Sequence, residues 1–333
     1  MLIKLASLND IDDIMNFIHH NWKKNHILSR DKLFFKYEHL FNNQINFIIA
    51  KKNNDIQGLL GFIPTSTKDI SNVFTVIWKV KENINNPILG IQLLKYLENL
   101  KGVNTVFSVG INKNTLKIFE HLNIYTNKLR QYVLINRDIS KFQIAKINDL
   151  KPSRCESKIL KNYKITELKN KTDFDDFNFL EYKENIPYKT KDYFVKRYLD
   201  HPIYIYNIYG VFFKKKLISL YFTRLQSHKN SKVIRIVDFI GKEKTIFPFA
   251  DFISRLINTK NYEYADFYCF GLDYKMIEDS GFELVHIDNE NLIIPNYFQP
   301  FLKKNISIYF FSNTKNISNI KIFKGDGDQD RPS

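Results

Sequence analysis

The stretch Ser108-Val-Gly-Ile-Asn112-Lys-Asn-Thr-Leu116-Lys-Ile-Phe119-Glu-His-Leu122-Asn123-Ile124 decides the reading of the chain. It begins inside an apolar strand at 105–109 and turns at an asparagine. A helix over 114–122 follows, with apolar residues at helical spacing. Asn123 can take the left-handed conformation in which glycine usually ends a helix. Asn112 precedes Phe119 by seven residues and Asn123 by eleven.

Upstream, residues 73–80 read as a strand rich in β-branched and aromatic side chains. A loop from Lys81 leads through Asn85, Asn86 and Pro87 into a helix over 88–100, with Leu89, Leu93, Leu94 and Leu97 on one face. Pro87 suits a first helical turn, where its missing N–H is not needed. Such a junction turns backbone N–H groups and the positive helix end toward an anion. An ordinary βα connection has the same look.

Working outward, residues 2–5 read as a strand, and Ile11, Ile14, Met15 and Ile18 as one face of a helix over 10–21. A helix follows at 31–41 with Ser29 as its cap, then strands at 46–51 and 58–64 around an Asn-rich turn. A strand at 131–136 closes this half. A polar stretch at 148–160 with Pro152, Ser153 and Ser157 reads as a linker. The order then returns: strand 163–168, helices at 173–184 and 191–199, a hairpin of 203–213 with 217–226 about Lys214–Lys216, strand 233–240, helix 249–257, strand 264–270, helix 274–279 and strand 284–288. Equivalent points recur about 160 residues apart, which points to a tandem duplication.

The segment from Ser108 to Ile124 resembles motif B of the GNAT superfamily of N-acetyltransferases, and the loop before Gly90 resembles its motif A in degenerate form. Asn85 stands for the usual Gln or Arg, and Ile88 for the first Gly. The resemblance implies a mixed α/β (α+β) fold class. Two tandem GNAT-like acyl-CoA N-acyltransferase domains are expected, each a mixed, largely antiparallel sheet flanked by helices: residues 1–147, and 161–320 after the linker, with an acidic tail at 321–333. It implies acetyl-CoA, or another acyl-CoA, as co-substrate in the first unit. The pyrophosphate would rest on Asn85, Asn86, Pro87, Ile88, Leu89, Gly90 and Ile91. Pantetheine would lie between the strands at 73–80 and 105–109, with Asn112 touching it or closing the loop, and an N–H near Val80 would polarise the thioester. Phe119 stands where the family often has a leaving-group tyrosine and cannot protonate a thiolate.

The second unit keeps Ser280-Gly281-Phe282, but Phe270 replaces the motif-B Asn and Ile277 the Tyr. It is expected to be degenerate, an acceptor-binding or structural partner. Deprotonating an amine calls for a His or carboxylate. His26 after Trp22, in the region that walls the acceptor in this fold, is one catalytic candidate, or an acceptor ligand. Asp238 is the other, paired with Arg235 or facing substrate, because a carboxylate among β-branched residues is costly to bury alone. Asp326, Asp328 and Arg331 lie in a tail that frays or folds back. Its sequence resembles the ending of bacterial tandem acetyltransferase-like proteins of surface-polysaccharide synthesis, so these three join Trp22 and Arg235 as substrate-binding candidates. The alternating Asp326, Asp328 and Asp330 lack the Gly and distal Glu of an EF-hand, so no metal is expected.

The 333 residues carry 50 Lys+Arg against 35 Asp+Glu, a net +15. That charge fits phosphorylated ligands, nucleic acid or an anionic membrane surface, or the lysine-rich coding of an AT-rich genome. No apolar run of about 18 residues is present, so no transmembrane segment is expected. Two cysteines, Cys155 and Cys269, and no signal-like start imply a reduced, cytoplasmic protein. The leading expectation is direct acyl transfer to a small-molecule acceptor, an amino sugar linked to a nucleotide, with no nucleic-acid partner. A Fem-like aminoacyltransferase using aminoacyl-tRNA and a non-catalytic acyl-CoA-binding module are the alternatives. Acyl-chain length and oligomeric state are not readable.

Overall fold

Left-handed turns set the first hairpins. Asn53 (φ 50°) and Asn54 (φ 63°) join β2 (Gln44–Lys52) to β3 (Asp55–Pro64), the two-residue geometry that matches strand twist. The computed structural model describes residues 1–82, 84–148 and 162–333; Cys155 and all but the first residue of the expected linker lie outside them.

The first half follows the predicted order. β1 (Leu2–Ser7) leads to α1 (Ile11–Asn21), which buries Ile11, Ile14, Phe17 and Ile18 against Phe35, Phe47 and Ile49. A separate turn, α2 (Ile27–Arg30), precedes α3 (Lys32–His39). The caps are therefore His26 and Asp31 rather than Ser29: the Asp31 carboxylate accepts from the Phe34 N–H at 2.8 Å. β4 (Asn72–Val80), α4 (Leu89–Glu98), β5 (Thr105–Ile111), α5 (Leu116–His121) and a further strand, β6 (Tyr125–Lys128), complete the run. Leu89, Leu93, Leu94 and Leu97 are all fully buried, and Asn123 ends α5 at φ 54°.

The second half contains β8 (Tyr163–Leu168), α6 (Lys191–Phe194), β9 (Asn207–Phe213), β10 (Lys216–His228), β11 (Ser231–Gly241), α7 (Ile246–Thr259), β12 (Tyr264–Phe270) and α8 (Tyr274–Asp279). The helix expected at 173–184 is only two short 3-10 turns, Lys171–Phe174 and Phe179–Tyr182, whose Phe174 and Phe179 fall into the core at irregular spacing.

The sheets do not respect the expected boundaries. β7 (Arg130–Ile135) belongs to the second sheet, antiparallel to β12 from Ile135↔Tyr264 to Arg130↔Cys269. In return β13 (Tyr309–Ser312) enters the first sheet between β5 and β6. The first sheet reads β1-β2-β3-β4-β5-β13-β6 and the second β8-β9-β10-β11-β12-β7, with Glu283–Leu284 beyond β7. Only Leu129 separates β6 from β7, too few residues for a hairpin. The chain therefore crosses between sheets there, with Leu129 buried and its N–H on the Ile308 carbonyl at 2.9 Å. Each half completes the other's sheet.

Candidate functional site

β4 and β5 run parallel only from Asn72↔Thr105 to Thr75↔Ser108. β4 then bulges against β3, between Leu60↔Trp78 and Phe62↔Thr75, and continues to Val80 with β3 as its partner. On its other side β5 pairs with β13 at Val109 and Ile111. From Val76 onward the facing edges of β4 and β5 part in a wedge. Among the described residues no strand lies between them, and only the Gln329 side chain of the tail reaches in, donating to the Val109 carbonyl at 3.4 Å.

At the wide end of this wedge sits the start of α4. Its cap residue, Ile88, makes no side-chain cap, and among the described residues no side chain accepts from the first-turn N–H groups, the Leu89 N–H donating to the Asn86 carbonyl at 3.3 Å. Asn85, Pro87 and Ile88 are exposed, whereas the Leu89 side chain turns into the core. Asn86 Nδ2 donates to Gln92 Oε1 at 2.9 Å. A Cβ at Gly90 would stand 3.4 Å from Trp78 Nε1. An uncapped helix end beside exposed backbone fits a pyrophosphate. Asn112 closes its loop: Oδ1 accepts from Asn114 N–H at 2.9 Å and its carbonyl from Thr115. Phe119 is buried, its ring 4.5 Å from Phe311 and 6.2 Å from Trp78. Tyr125 lies beyond β13 with its hydroxyl accepting from Asn127 Nδ2, so it does not replace the missing tyrosine at the wedge.

On the opposite face a cavity of about 550 Å³ reaches β4 at Val76 and Ile77. The parallel pairing of β4 and β5 ends just past Thr75, where β4 bulges at Val76 and Ile77. Val80 lies farther out, where it packs near Gly58 and Leu89. Trp22, His26, Glu38 and His39 wall the cavity from the first half, and Tyr204, Arg224, Arg235 and residues 296–302 from the second. The tail supplies the floor, from Asp328 to Ser333. Gly327, at φ 61°, sits at the apex: a Cβ there would lie 3.9 Å from Thr75 O and 3.6 Å from Val109 Cβ. Of the sequence candidates, Trp22, His26, Arg235, Asp328 and Arg331 come together in this cavity.

The charges around it are fixed by specific partners. Burial, with Lys23 and Arg30 adding repulsion, lowers His26 to about 4, so its ring is neutral near pH 7. Its Nδ1 accepts from the Leu28 N–H at 3.3 Å, which places the proton on Nε2. Burial lowers His39 to about 3. Asp328 is raised by burial, although Gln329 and Arg331 oppose this. Burial would raise Asp330, but Arg224 and Arg197 outweigh it and hold it near 2. Arg331 donates to Gly327 O at 2.6 Å and pairs with Glu38.

Asp238 and Asp326 lie elsewhere, in a sealed cluster. Asp238 is fully buried and pairs with Lys189, not Arg235: Lys189 Nζ is 2.8 Å from each of its carboxylate oxygens. Tyr198 Oη donates to it at 2.8 Å, and so does its neighbour's Phe239 N–H. Asp326 Oδ1 is 2.6 Å from Lys189 Nζ, and Oδ2 accepts from the Phe323 N–H at 2.9 Å. Arg235 instead forks onto Asp266 at 3.0 and 2.9 Å and donates to two carbonyls, since Asp266 stands opposite it on the parallel neighbour β12. Asp238 thus belongs to an ion-paired core outside the cavity lining. Glu38, His39 and Lys189 were not singled out in the sequence, where nothing marks an isolated charge or ring that a remote segment will contact.

The second half has a matching wedge. β11 and β12 pair in parallel only from Ile234↔Ala265 to Ile236↔Phe267. Here the chain's own residues fill the gap. Ile322–Phe323 pair with Phe270 and Cys269, and Gly325 N–H donates to Val237 O at 2.6 Å. The Phe323 ring stacks on Phe267 at 5.9 Å.

No protein-family model and no curated protein matches the sequence. Solved structures do match in fold. A GCN5-related N-acetyltransferase from Anabaena variabilis aligns over 93% of this chain and 72% of its own, with a TM-score of 0.55 at 10% identity. One from Kribbella flavida aligns over 93% and 70%, with a TM-score of 0.54 at 9% identity. A glucosamine N-acetyltransferase region of a fungal multi-domain β-N-acetylglucosaminidase aligns over 93% of this chain and 38% of that one, with a TM-score of 0.51 at 9% identity. The chain therefore has a mixed α/β fold of the GCN5-related N-acetyltransferase type.

Proposed function

We propose that the protein is an acyl-CoA-dependent N-acyltransferase whose first half holds the cofactor and whose acceptor enters between the halves. The observation that carries the reading is the open wedge between β4 and β5, with the uncapped α4 start at one end and the cavity at the other. The matching wedge in the second half is filled by Ile322–Phe323, which supports a single acyl-CoA site. Bound acyl-CoA supplies the activated thioester. The bulge N–H groups at Val76 and Ile77 polarise its carbonyl. Asp328, next to the wedge apex and with a raised pKa, takes the proton of the attacking amine. The C–N bond forms, the C–S bond breaks, and the proton taken by Asp328 passes on to the leaving thiolate, with no acyl-enzyme. His26 Nε2–H donates to the acceptor.

The acceptor in this reading is an amino sugar carried on a nucleotide. Arg224 lies 3.9 Å over Tyr204, and Tyr297 and Phe298 line the same wall, an arrangement that suits a flat base and its phosphates. The fold likeness to a glucosamine N-acetyltransferase region agrees with a sugar amine. Calorimetry with acetyl-CoA, followed by thiol release with a panel of nucleotide-linked amino sugars, is the test. Asp328→Asn should lower kcat by about 10²–10⁴ while leaving acetyl-CoA affinity alone. Absence of acetyl-CoA binding by the wild-type protein would end the enzyme reading.

A further inference from the structure

Behind the Glu38–Arg331 ion pair lies a second cavity of about 190 Å³. It shares Glu38, Ile63 and Arg331 with the large one, so the ion pair forms a common wall. Its lining is rich in donors. Tyr193 and Arg197 are 4% and 3% exposed, yet among the described residues the Tyr193 hydroxyl and Arg197 Nε have no hydrogen-bond partner. Leaving such groups unpaired in the interior is costly, and a bound acceptor atom would relieve it.

The cations facing this space are under-compensated. Lys196 has no ion-pair partner among the described residues, and its Nζ lies 5.3 Å from the Tyr37 ring centre. The rest of the Arg197 guanidinium donates to neutral groups, the Tyr206 hydroxyl and the Gly325 and Asp330 carbonyls. The nearby carboxylates are committed, Glu38 to Arg331, Asp330 to Arg224 and Tyr206, and Asp326, the carboxylate that acts most strongly on Tyr193, to Lys189. Two cations and an unused hydroxyl converge on one small space.

We infer that this second cavity is a phosphate subsite, in which Lys196, Arg197 Nε and the Tyr193 hydroxyl hold the oxygens of one phosphate group. The binding itself does not rest on acyl transfer; its source does. The phosphate is either carried by the acceptor across the shared wall or is free inorganic phosphate.

The test is calorimetric titration of the full-length protein with inorganic phosphate in a buffer free of phosphate and sulfate. Lys196→Gln and Tyr193→Phe should each weaken binding about tenfold or more. Gly90→Asp, which blocks the α4 end, should not. Tyr193→Phe should not lower Tm, because its hydroxyl bonds to nothing among the described residues. Absence of phosphate binding, or binding lost in Gly90→Asp and kept in both other variants, overturns the subsite. In turnover assays, competition by added phosphate against a phosphorylated acceptor, with a raised KM in Lys196→Gln, assigns the phosphate to the acceptor. Binding without competition assigns it to free phosphate. A wild-type protein that binds phosphate but not acetyl-CoA refutes the acyltransferase and leaves the subsite standing.

Discussion

Replacing Phe323 by alanine tests whether the second half works as an anchor. The ring is 2% exposed, stacked on Phe267 and edge-on to Phe239 at 6.2 Å, and its backbone pairs with Cys269. Truncating a buried phenylalanine typically costs about 3–5 kcal/mol. The cost falls mainly on local docking of residues 320–333, since β12 keeps β11 and β7 as partners. At 1.4 kcal/mol per decade, opening of this segment should become about 10²- to 4 × 10³-fold more frequent. Hydrogen exchange by mass spectrometry reads that directly. Amides of residues 322–331 should exchange faster by that factor, while α4 and β4 keep their protection. Acetyl-CoA affinity should stay within about twofold, and kcat should fall because Asp328 is no longer held at the apex. Unchanged exchange in the tail, or a loss of acetyl-CoA binding equal to the loss of turnover, would refute the reasoning.

Other outcomes follow from the same structure. Gly90→Asp places a carboxylate at the α4 start and should abolish acetyl-CoA binding by calorimetry while leaving Tm close to wild type. Asp238→Asn removes one of the two carboxylates facing Lys189, with hydrogen bonds from Tyr198 and Phe239, and should cost about 1–3 kcal/mol in denaturant unfolding. Asp326→Asn should behave differently. Burial raises Asp326 to about 7 despite Lys189, with Asp238 adding repulsion, so its ionisation opposes folding as pH rises from about 4 through 7. The asparagine variant should lose less stability than wild type between pH 6 and pH 8; an identical pH profile would count against the cluster. His39 has the opposite sign. Its folded pKa of about 3 lies below the unfolded 6.5, so the unfolded chain takes up a proton that the fold refuses. Stability from this group is lost as pH falls from about 6.5 toward 3, by roughly 5 kcal/mol at the lower end. His39→Phe should flatten the acid limb of urea unfolding, and an unchanged limb would remove His39 as its cause.

Elements with strong local signals were legible in the sequence. The α4 leucines, the Asn53-Asn54 and Lys214-Lys215 turns, and the α5 stop at Asn123 each follow from spacing or turn chemistry within a few residues. The parting of β4 and β5 was inferred from a motif and is present; the bulge at which it begins leaves no mark in the letters Val76-Ile77-Trp78. Trp22, His26, Arg235, Asp328 and Arg331 were placed near substrate, and one cavity gathers them. Strand exchange was out of reach. Residues 131–136 announce a strand but not its sheet, which is decided by the single residue Leu129 and by a partner more than a hundred residues away. The tail was hardest, since Gly-Asp-Gly-Asp has the composition of a frayed end. Its order comes from Lys189, Arg224 and Glu38, none of them its neighbour in sequence.

The tail also explains why the halves are unequal. Phe323 and Asp328 are five residues apart, at most about 18 Å of extended chain. The filled wedge of the second half and the open wedge of the first must lie within that reach. Between them, Asp326 is held by Lys189, Gly325 passes against Tyr198 Oη, where a Cβ would come within 2.2 Å, and Gly327 turns at positive φ beside Thr75 and Val109. Gly325 is required by close approach and Gly327 by its backbone angle. A carboxylate delivered by a free tail would sample many positions and bring little effective concentration to the amine. Anchoring Phe323 in the second wedge fixes Asp328 at the first. In the proposed acyltransferase the filled gap thus positions the carboxylate that serves the other gap, and releasing the anchor should cost turnover before it costs fold.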